Sequence, residues 1–356
     1  MGLFPGARTA WLALACGLCF RGAVAAPATP QPQRTDLITD MPAAGDLAAP
    51  TNGQTLYVLD EASGEVVAID PFDAAAKRWT AVSAGLRADT GAGTLAIGSI
   101  DTSMLAMLCR SRDGWSLQTH RLQPGTAADP DQPTQSVVIG RTTGDAAVSA
   151  TTNAKSTGDE RACLAISPSR DWLGVCGLPA PLPAVMRAPI AGARIGGVSA
   201  RACPVLPAGL RPTAATISMA EEFVLFATDP ADRAAAGVFV SFYLPPDPRR
   251  LLHLDTSLPR VRDAAFCRAD GTLWVVGGGP RGESGGSASA VVAPEGLWRI
   301  DAVMRNGRQS AAAVCVARLE GARAVVCLSE RAIIVTHGRE NRTVSRIDPT
   351  QPASTP

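Results

Sequence analysis

Histidine is scarce in this chain, with three in 356 residues, and beyond Cys16 and Cys19 of the amino-terminal segment no two cysteines stand in the close C-x-x-C spacing of a structural zinc site. Both absences argue against a metal centre built on imidazole and thiolate. No serine sits in a G-x-S-x-G context, and His120, His253 and His337 each lie in apolar, strand-like runs. A structural histidine is the usual occupant of such a run, so no nucleophile–base pair is recognisable. The glycine trio Gly277 to Gly279 has no helix or lysine after it and is not a phosphate loop. An excess of charge of either sign is also missing. Thirty-three Lys and Arg face 32 Asp and Glu, for a net charge of +1, which argues against a nucleic-acid binder, since such proteins normally show a strongly basic face. The small basic groups at Arg249-Arg250 and Gly338 to Arg346 read as solvated loop charge. Helical periodicity is nearly absent, and no apolar run reaches the ~20 residues that a bilayer span requires.

What is present suits a folded chain, since 46% hydrophobic and 18% charged residues supply a substantial core. At the amino terminus Arg8 precedes the uncharged Thr9 to Phe20, and the small residues of Ala23 to Pro27 follow. This is the pattern of a secretory signal peptide cleaved after Ala26, and it predicts a secreted or periplasmic protein. The alternatives are lipid attachment at Cys16 or an organellar transit peptide. Residues 27–33 read as a Pro-rich linker, 34–349 as one domain and 350–356 as a disordered tail. Loss of Cys16 and Cys19 leaves an odd set of seven cysteines, too many for one arrangement to follow from sequence. Cys163 and Cys176 flank a Ser-Pro-Ser-Arg-Asp turn symmetrically. On adjacent antiparallel strands they fall opposite each other within disulfide reach, the alternative being two buried thiols. Cys315 and Cys327 flank Glu320-Gly321-Ala322 in the same way, and the pairing of Cys109, Cys203 and Cys267 is open.

The stretch TLYVLDEASGEVVAID, Thr55 to Asp70, holds two short apolar runs around a turn. Both runs read as strands. Asp60 can bond the backbone ahead of it, and Gly64 can take the positive φ that closes the loop. Its closing phrase, ending at Pro71, returns in degraded form as HRLQP at Pro124, VMRAP at Pro189, FYLPP at Pro246, WRIDA at Ala302 and SRIDP at Pro349. The spacing is loose and somewhat above the ~40–50 residues of a four-stranded repeat unit, which calls for inserted loops. Six units fit; the poorly explained Ala146 to Arg161 leaves seven as the alternative count. SRDGWS, Ser111 to Ser116, reads as a plain Asp-Gly hairpin. Asn341 to Thr343 is a glycosylation sequon, meaningful only in a glycosylating host.

Asp46 to Pro71, Cys163 to Leu178 and Ala264 to Gly279 carry a family resemblance. They resemble blades of exported β-propellers of the YVTN, NHL and WD-like kind, whose inner strand ends in S-P-D-G or a near relative. Ser167-Pro168-Ser169-Arg170-Asp171 and Ala269-Asp270-Gly271 stand in that place. The resemblance implies an all-β propeller of about six four-stranded antiparallel blades, and it implies no activity. The lone strand-like run Arg34 to Pro42 is expected to pair with the final unit, which has three strands of its own, and so to close the ring.

Three functional classes follow. The favoured one is an exported, non-catalytic binding or scaffold propeller needing no cofactor and holding a protein or small-molecule ligand through one loop face and the central channel. The long insertion Gly277 to Gly296, with Arg281 and Glu283, is the candidate binding loop. The first alternative is a gluconolactonase-like six-bladed hydrolase using a divalent ion such as Ca2+ on oxygen ligands. Asn52, Asp101, Glu221, Glu222 and Asp263 are its candidates, expected near the starts of inner strands. The second is a quinone-binding propeller, suggested by LDEASGEVVA, although Ser63 and Ala68 replace the Thr and Trp of that signature.

Overall fold

The computed structural model describes residues 31–73, 78–83, 93–111, 114–141, 162–178, 182–192, 194–200, 203, 206, 210–228, 236–241, 251–255, 261–278, 294–301 and 312–352. The amino-terminal segment read as a signal peptide and residues 142–161 lie outside them. Among the described residues there is no α-helix, and the strands form six four-stranded antiparallel sheets. β1 (Pro32–Ile38) stands apart at the start. The first blade is β2 (Ala44–Ala48), β3 (Leu56–Asp60), β4 (Val66–Ile69) and β5 (Trp79–Val82); the second is β6 (Gly93–Ser99), β7 (Met104–Ser111), β8 (Gly114–Arg121) and β9 (Gln135–Arg141). The third runs β10 (Cys163–Ile166), β11 (Trp172–Cys176), β12 (Val185–Ala191) and β13 (Arg194–Ile195), and the fourth β14 (Arg211–Ile217), β15 (Phe223–Thr228), β16 (Ala236–Ser241) and β17 (Leu251–Asp255). The fifth is β18 (Val261–Phe266), β19 (Leu273–Gly277), β20 (Gly296–Asp301) and β21 (Ala312–Arg318). The sixth takes β22 (Ala324–Ser329), β23 (Ala332–His337) and β24 (Thr343–Pro352) from the chain's end, and β1 completes it beside β24.

The degraded closing phrases mark one structural position. Those at Pro71, Pro124, Pro189, Ala302 and Pro349 run along or just past the third strand of a blade, while the phrase ending at Pro246 lies outside the described residues. In the first hairpin the Asp60 carboxylate accepts the Ala62 N–H (3.0 Å) and the Ser63 hydroxyl (2.9 Å). Gly64 sits at φ 75°, as the turn chemistry requires.

Sheets with two apolar faces must be covered on both sides, and the six hydrophobic clusters each lie between one blade and the next. At the third interface Trp172, Cys176 and Val185 meet Ile217, Phe223 and Leu225. A Cβ on Gly174 would come within 2.3 Å of the Phe223 ring, so glycine there lets the ring lie on β11. The sixth interface returns the last blade to the first: Ile38, Met41, Ala324, Ile334 and Val344 pack with Leu47, Leu56, Val58 and Val67. The ring is closed, and the closing element is β1.

The pairing extends further than the sequence suggested. Pro32 lies opposite Pro352, so residues 32–33 and 350–352, read as linker and tail, belong to the closing ladder. A hydrogen-bonded relay crosses its strands. Arg34 pairs with Asp36 (2.9 Å), the Ser345 hydroxyl donates to Asp36 (2.6 Å), and His337 Nε2 meets the Ser345 oxygen (2.7 Å). Serine, not histidine, occupies the middle and its O–H donates to the carboxylate, so the chain is a latch and not a catalytic triad.

Two outcomes follow from this closure. Removal of residues 32–41 takes away the buried side chains of Ile38 and Met41, 5% and 0% exposed, and uncovers the apolar residues they pack against together with the β24 edge. At about 1.5–3 kcal/mol for each buried side chain, denaturant unfolding should register a loss of roughly 3–6 kcal/mol. An unchanged midpoint would show that the last blade closes without β1.

The second outcome concerns pH. Burial alone would lift the Asp36 carboxyl, but hydrogen bonds from Ser345 and Arg34 and the Arg34 charge outweigh it and hold Asp36 low. Burial, aided by Arg34 and opposed by Asp36, holds His337 below the usual imidazole value. Both shifts favour the deprotonated form. The His337 contribution is thus present above its unfolded pKa of about 6.5 and lost as pH falls below it, and that of Asp36 is lost below about 3.9. The melting temperature should fall on mild acidification. His337→Gln, which still donates to Ser345, should flatten that fall, leaving the part due to His120, which burial also holds low. Superimposable profiles would remove His337 from the acid response.

Candidate channel-mouth site

The innermost strands β2, β6, β10, β14, β18 and β22 present one backbone edge each to a central channel, because each pairs only outward into its own blade. Unpaired edges call for partners, and two carboxylates supply them sideways. Asp46 on β2 accepts the Ile97 N–H of the next blade (2.9 Å), and Asp263 on β18 accepts the Val325 N–H of the next (2.8 Å). These aspartates bind blade to blade.

The channel opens as a cavity of about 210 Å3 toward the turns that follow the innermost strands. Pro50, Thr51, Pro168, Met219, Arg268 and Leu328 surround this mouth, and Met219 is 49% exposed. Three blades meet there. Arg170 in the third-blade turn donates to the Thr51 hydroxyl of the first-blade turn, and Arg268 Nη1 from the fifth blade donates to the same oxygen (2.7 Å). Burial and the neighbouring Arg170 charge lower the Arg268 pKa, with Glu221 acting against them.

Glu221 holds the third-blade turn from the fourth. Its two carboxylate oxygens accept the Ser169 N–H and the Trp172 indole N–H, both at 2.7 Å. Trp172 lies beneath the Arg187 guanidinium (4.3 Å to the ring centroid) and edge-on to Phe223. Arg170 and Glu221 both adopt left-handed backbone, φ 62° and 61°, where glycine is the unstrained choice.

The hydrolase candidates do not converge. Asn52, Asp101, Glu221 and Glu222 lie in the turns at the ends of the inner strands, not at their starts. The expectation took the wrong end because a turn carboxylate and a pre-strand carboxylate look alike in sequence. Asn52 and Asp101 bond their own turns, at Gln54 and Ser103. Glu222 is buried, which raises its pKa, and lies by Ser218. Among the described residues no three His, Cys, Asp or Glu side chains come together as a metal-holding group. Of the histidines, His120 is buried on β8, His337 belongs to the latch, and the His253 side chain is outside the described residues. Ser63 bonds Asp60, and Ala68 is buried on β4.

Cys163 and Cys176 are register partners on β10 and β11, both buried and both present as thiols. The hydrogen bond with the Cys163 thiol, and then burial, push Cys176 well up, with the Cys203 thiol acting in the same direction. Cys315 and Cys327 are not hairpin neighbours. Cys315 packs between the fourth and fifth blades and Cys327 between the fifth and sixth, because Glu320 to Ala322 connects two blades. The candidate loop residues Arg281 and Glu283 lie outside the described residues.

Arg170, Arg268, Thr51 and Met219 had no motif to announce them. The one available signal was Arg170 itself, which stands in Ser-Pro-Ser-Arg where the related blade phrase has glycine.

No protein-family model matches the chain, and neither does any curated protein. Among solved structures it is similar to a glucose dehydrogenase, with a TM-score of 0.60 and 13% identity over 91% of this chain and 100% of that one. It is also similar to the PQQ-bound aldose sugar dehydrogenase from Streptomyces coelicolor, at 0.54 and 12% over 90% and 99%. A putative gluconolactonase gives 0.52 and 10% over 92% and 96%. At these identities the likeness is one of fold, and the fold is the β-propeller.

Proposed function

We propose that the chain is an exported binding propeller that holds a protein or small-molecule ligand at its channel mouth and loop face and performs no chemistry of its own. One observation carries this reading: the carboxylates nearest the channel hold the ring together. Asp46 and Asp263 bridge neighbouring blades, and Glu221 braces the third-blade turn. A gluconolactonase-like enzyme needs such groups turned together onto an ion, and a quinone enzyme needs a cofactor site that the substituted blade phrase does not supply. The sugar dehydrogenases and the gluconolactonase share the ring with this chain, and a ring hosts many functions.

The purified chain should melt at the same temperature with and without millimolar Ca2+ or Zn2+, hydrolyse no lactone and leave PQQ fluorescence unchanged. A cation-dependent rise in melting temperature accompanied by lactone turnover would replace this reading with the hydrolase. A saturable PQQ signal would replace it with the quinone protein.

The amino-terminal pattern supports a secreted or periplasmic location, and an oxidising compartment suits a bond between Cys163 and Cys176. Their register supports it as well. Ser167 N–H donates to Trp172 O (3.0 Å) at the hairpin end, and every second pair outward repeats that hydrogen-bonded type, which places Cys163 and Cys176 at a Cα spacing of about 5.5 Å, within disulfide range. Unreduced peptide mapping of the exported protein should recover the two joined. Recovery of both as thiols refutes the bond.

A further inference from the structure

We infer that the channel mouth on the inner-turn side is an oxyanion site for a small carboxylate carrying a short apolar group. This rests on the binding reading above and names the ligand class. Arg170 and Arg268 approach from the third and fifth blades and share one neutral oxygen, that of Thr51. A hydroxyl has two lone pairs, whereas each guanidinium has five N–H donors, so Thr51 cannot satisfy both cations. Like charges are brought together there, and the carboxylate whose charge acts on Arg268 is occupied: Glu221 accepts from Ser169 and Trp172. On the same face Asp101 and Asp270 are turned onto the Ser103 and Thr272 N–H groups of their own turns.

Stability does not explain the arrangement. Arg170 holds left-handed backbone that glycine would occupy without strain. Met219 remains about half exposed beside Pro50, Pro168 and Leu328, which leaves apolar surface uncovered next to two cations. A carboxylate supplies what is missing, because its two oxygens accept paired N–H groups from guanidinium in one plane. Its hydrocarbon part then covers the apolar rim. The cavity, about 210 Å3, is smaller than the ~300–1,000 Å3 of drug-sized sites, so the apolar part is short.

The test titrates the purified full domain with hexanoate, inorganic phosphate and 1-hexanol by calorimetry. Hexanoate should bind once per chain and about tenfold or more tightly than either of the others, each of which lacks one half of the recognition. Arg268→Gln and Arg170→Gly should each weaken hexanoate by about tenfold or more. Arg170→Gly is the decisive variant, because glycine suits that backbone: its melting temperature should be unchanged or raised while binding is lost. The inference is overturned by absent hexanoate binding, by equal binding of phosphate or hexanol, or by variants that bind like the parent. A lowered melting temperature in Arg170→Gly also overturns it, by making the Arg170–Thr51 contact a structural tie. None of these results bears on the binding-module reading, which falls only on metal-dependent turnover or on a quinone signal.

Discussion

Everything in this molecule depends on closing a ring of sheets that are apolar on both faces. A blade such as β2 to β5, buried along nearly its whole length, has no stable existence with one face in water. Each interface therefore needs its neighbour, and the sixth needs the first. The chain meets this demand by ending one strand short and borrowing β1 from its start, so residues more than 300 positions apart share one ladder. The Asp36–Ser345–His337 relay adds polar specificity to that junction. Ser345 lies opposite Asp36 in the register, and a slip by one residue would turn its hydroxyl to the other face.

Ring closure also explains the carboxylates of the channel. Inner strands cannot pair with one another, because the blades radiate and present edges, not faces, to the axis. Asp46 and Asp263 satisfy neighbouring edge N–H groups at two of the six junctions. At the corresponding places the other inner strands carry small side chains such as Ala96 and Ala214, which leave the edge to the channel. An aspartate on an inner strand is thus a structural device before it is a candidate ligand.

Much of the architecture was legible because it rests on local rules. The Asp60–Gly64 turn, the returning third-strand phrase and the partnerless first strand each follow from backbone chemistry or from counting strands. The site was not legible, for a physical reason. Thr51, Arg170 and Arg268 belong to three blades and are brought together only by the circle, and no spacing along the chain encodes a distance across an axis. Asn52 and Glu221 were visible as carboxylate or amide candidates, yet which end of an inner strand they occupy depends on where each hairpin turns. The same limit misplaced Cys315 and Cys327, whose intervening Gly321 turns the chain from one blade into the next and not back on itself.

Local preference and final structure disagree at few described places, and two of them adjoin. Arg170 and Glu221 are non-glycine residues at left-handed φ in consecutive blades, joined because Glu221 accepts the N–H of Ser169, next to Arg170. The fifth blade solves its own turn with Gly271 at φ 72° and the first with Gly53 at φ 63°, so the fold does not require side chains there. Sequences that specify a fold well satisfy local and global demands together, and departures gather where something other than folding is selected. On this ring two of the four such residues among those described stand at one mouth of the channel, around two cations and an uncovered methionine, and the other two, Glu340 and Asn341, form the short turn before β24.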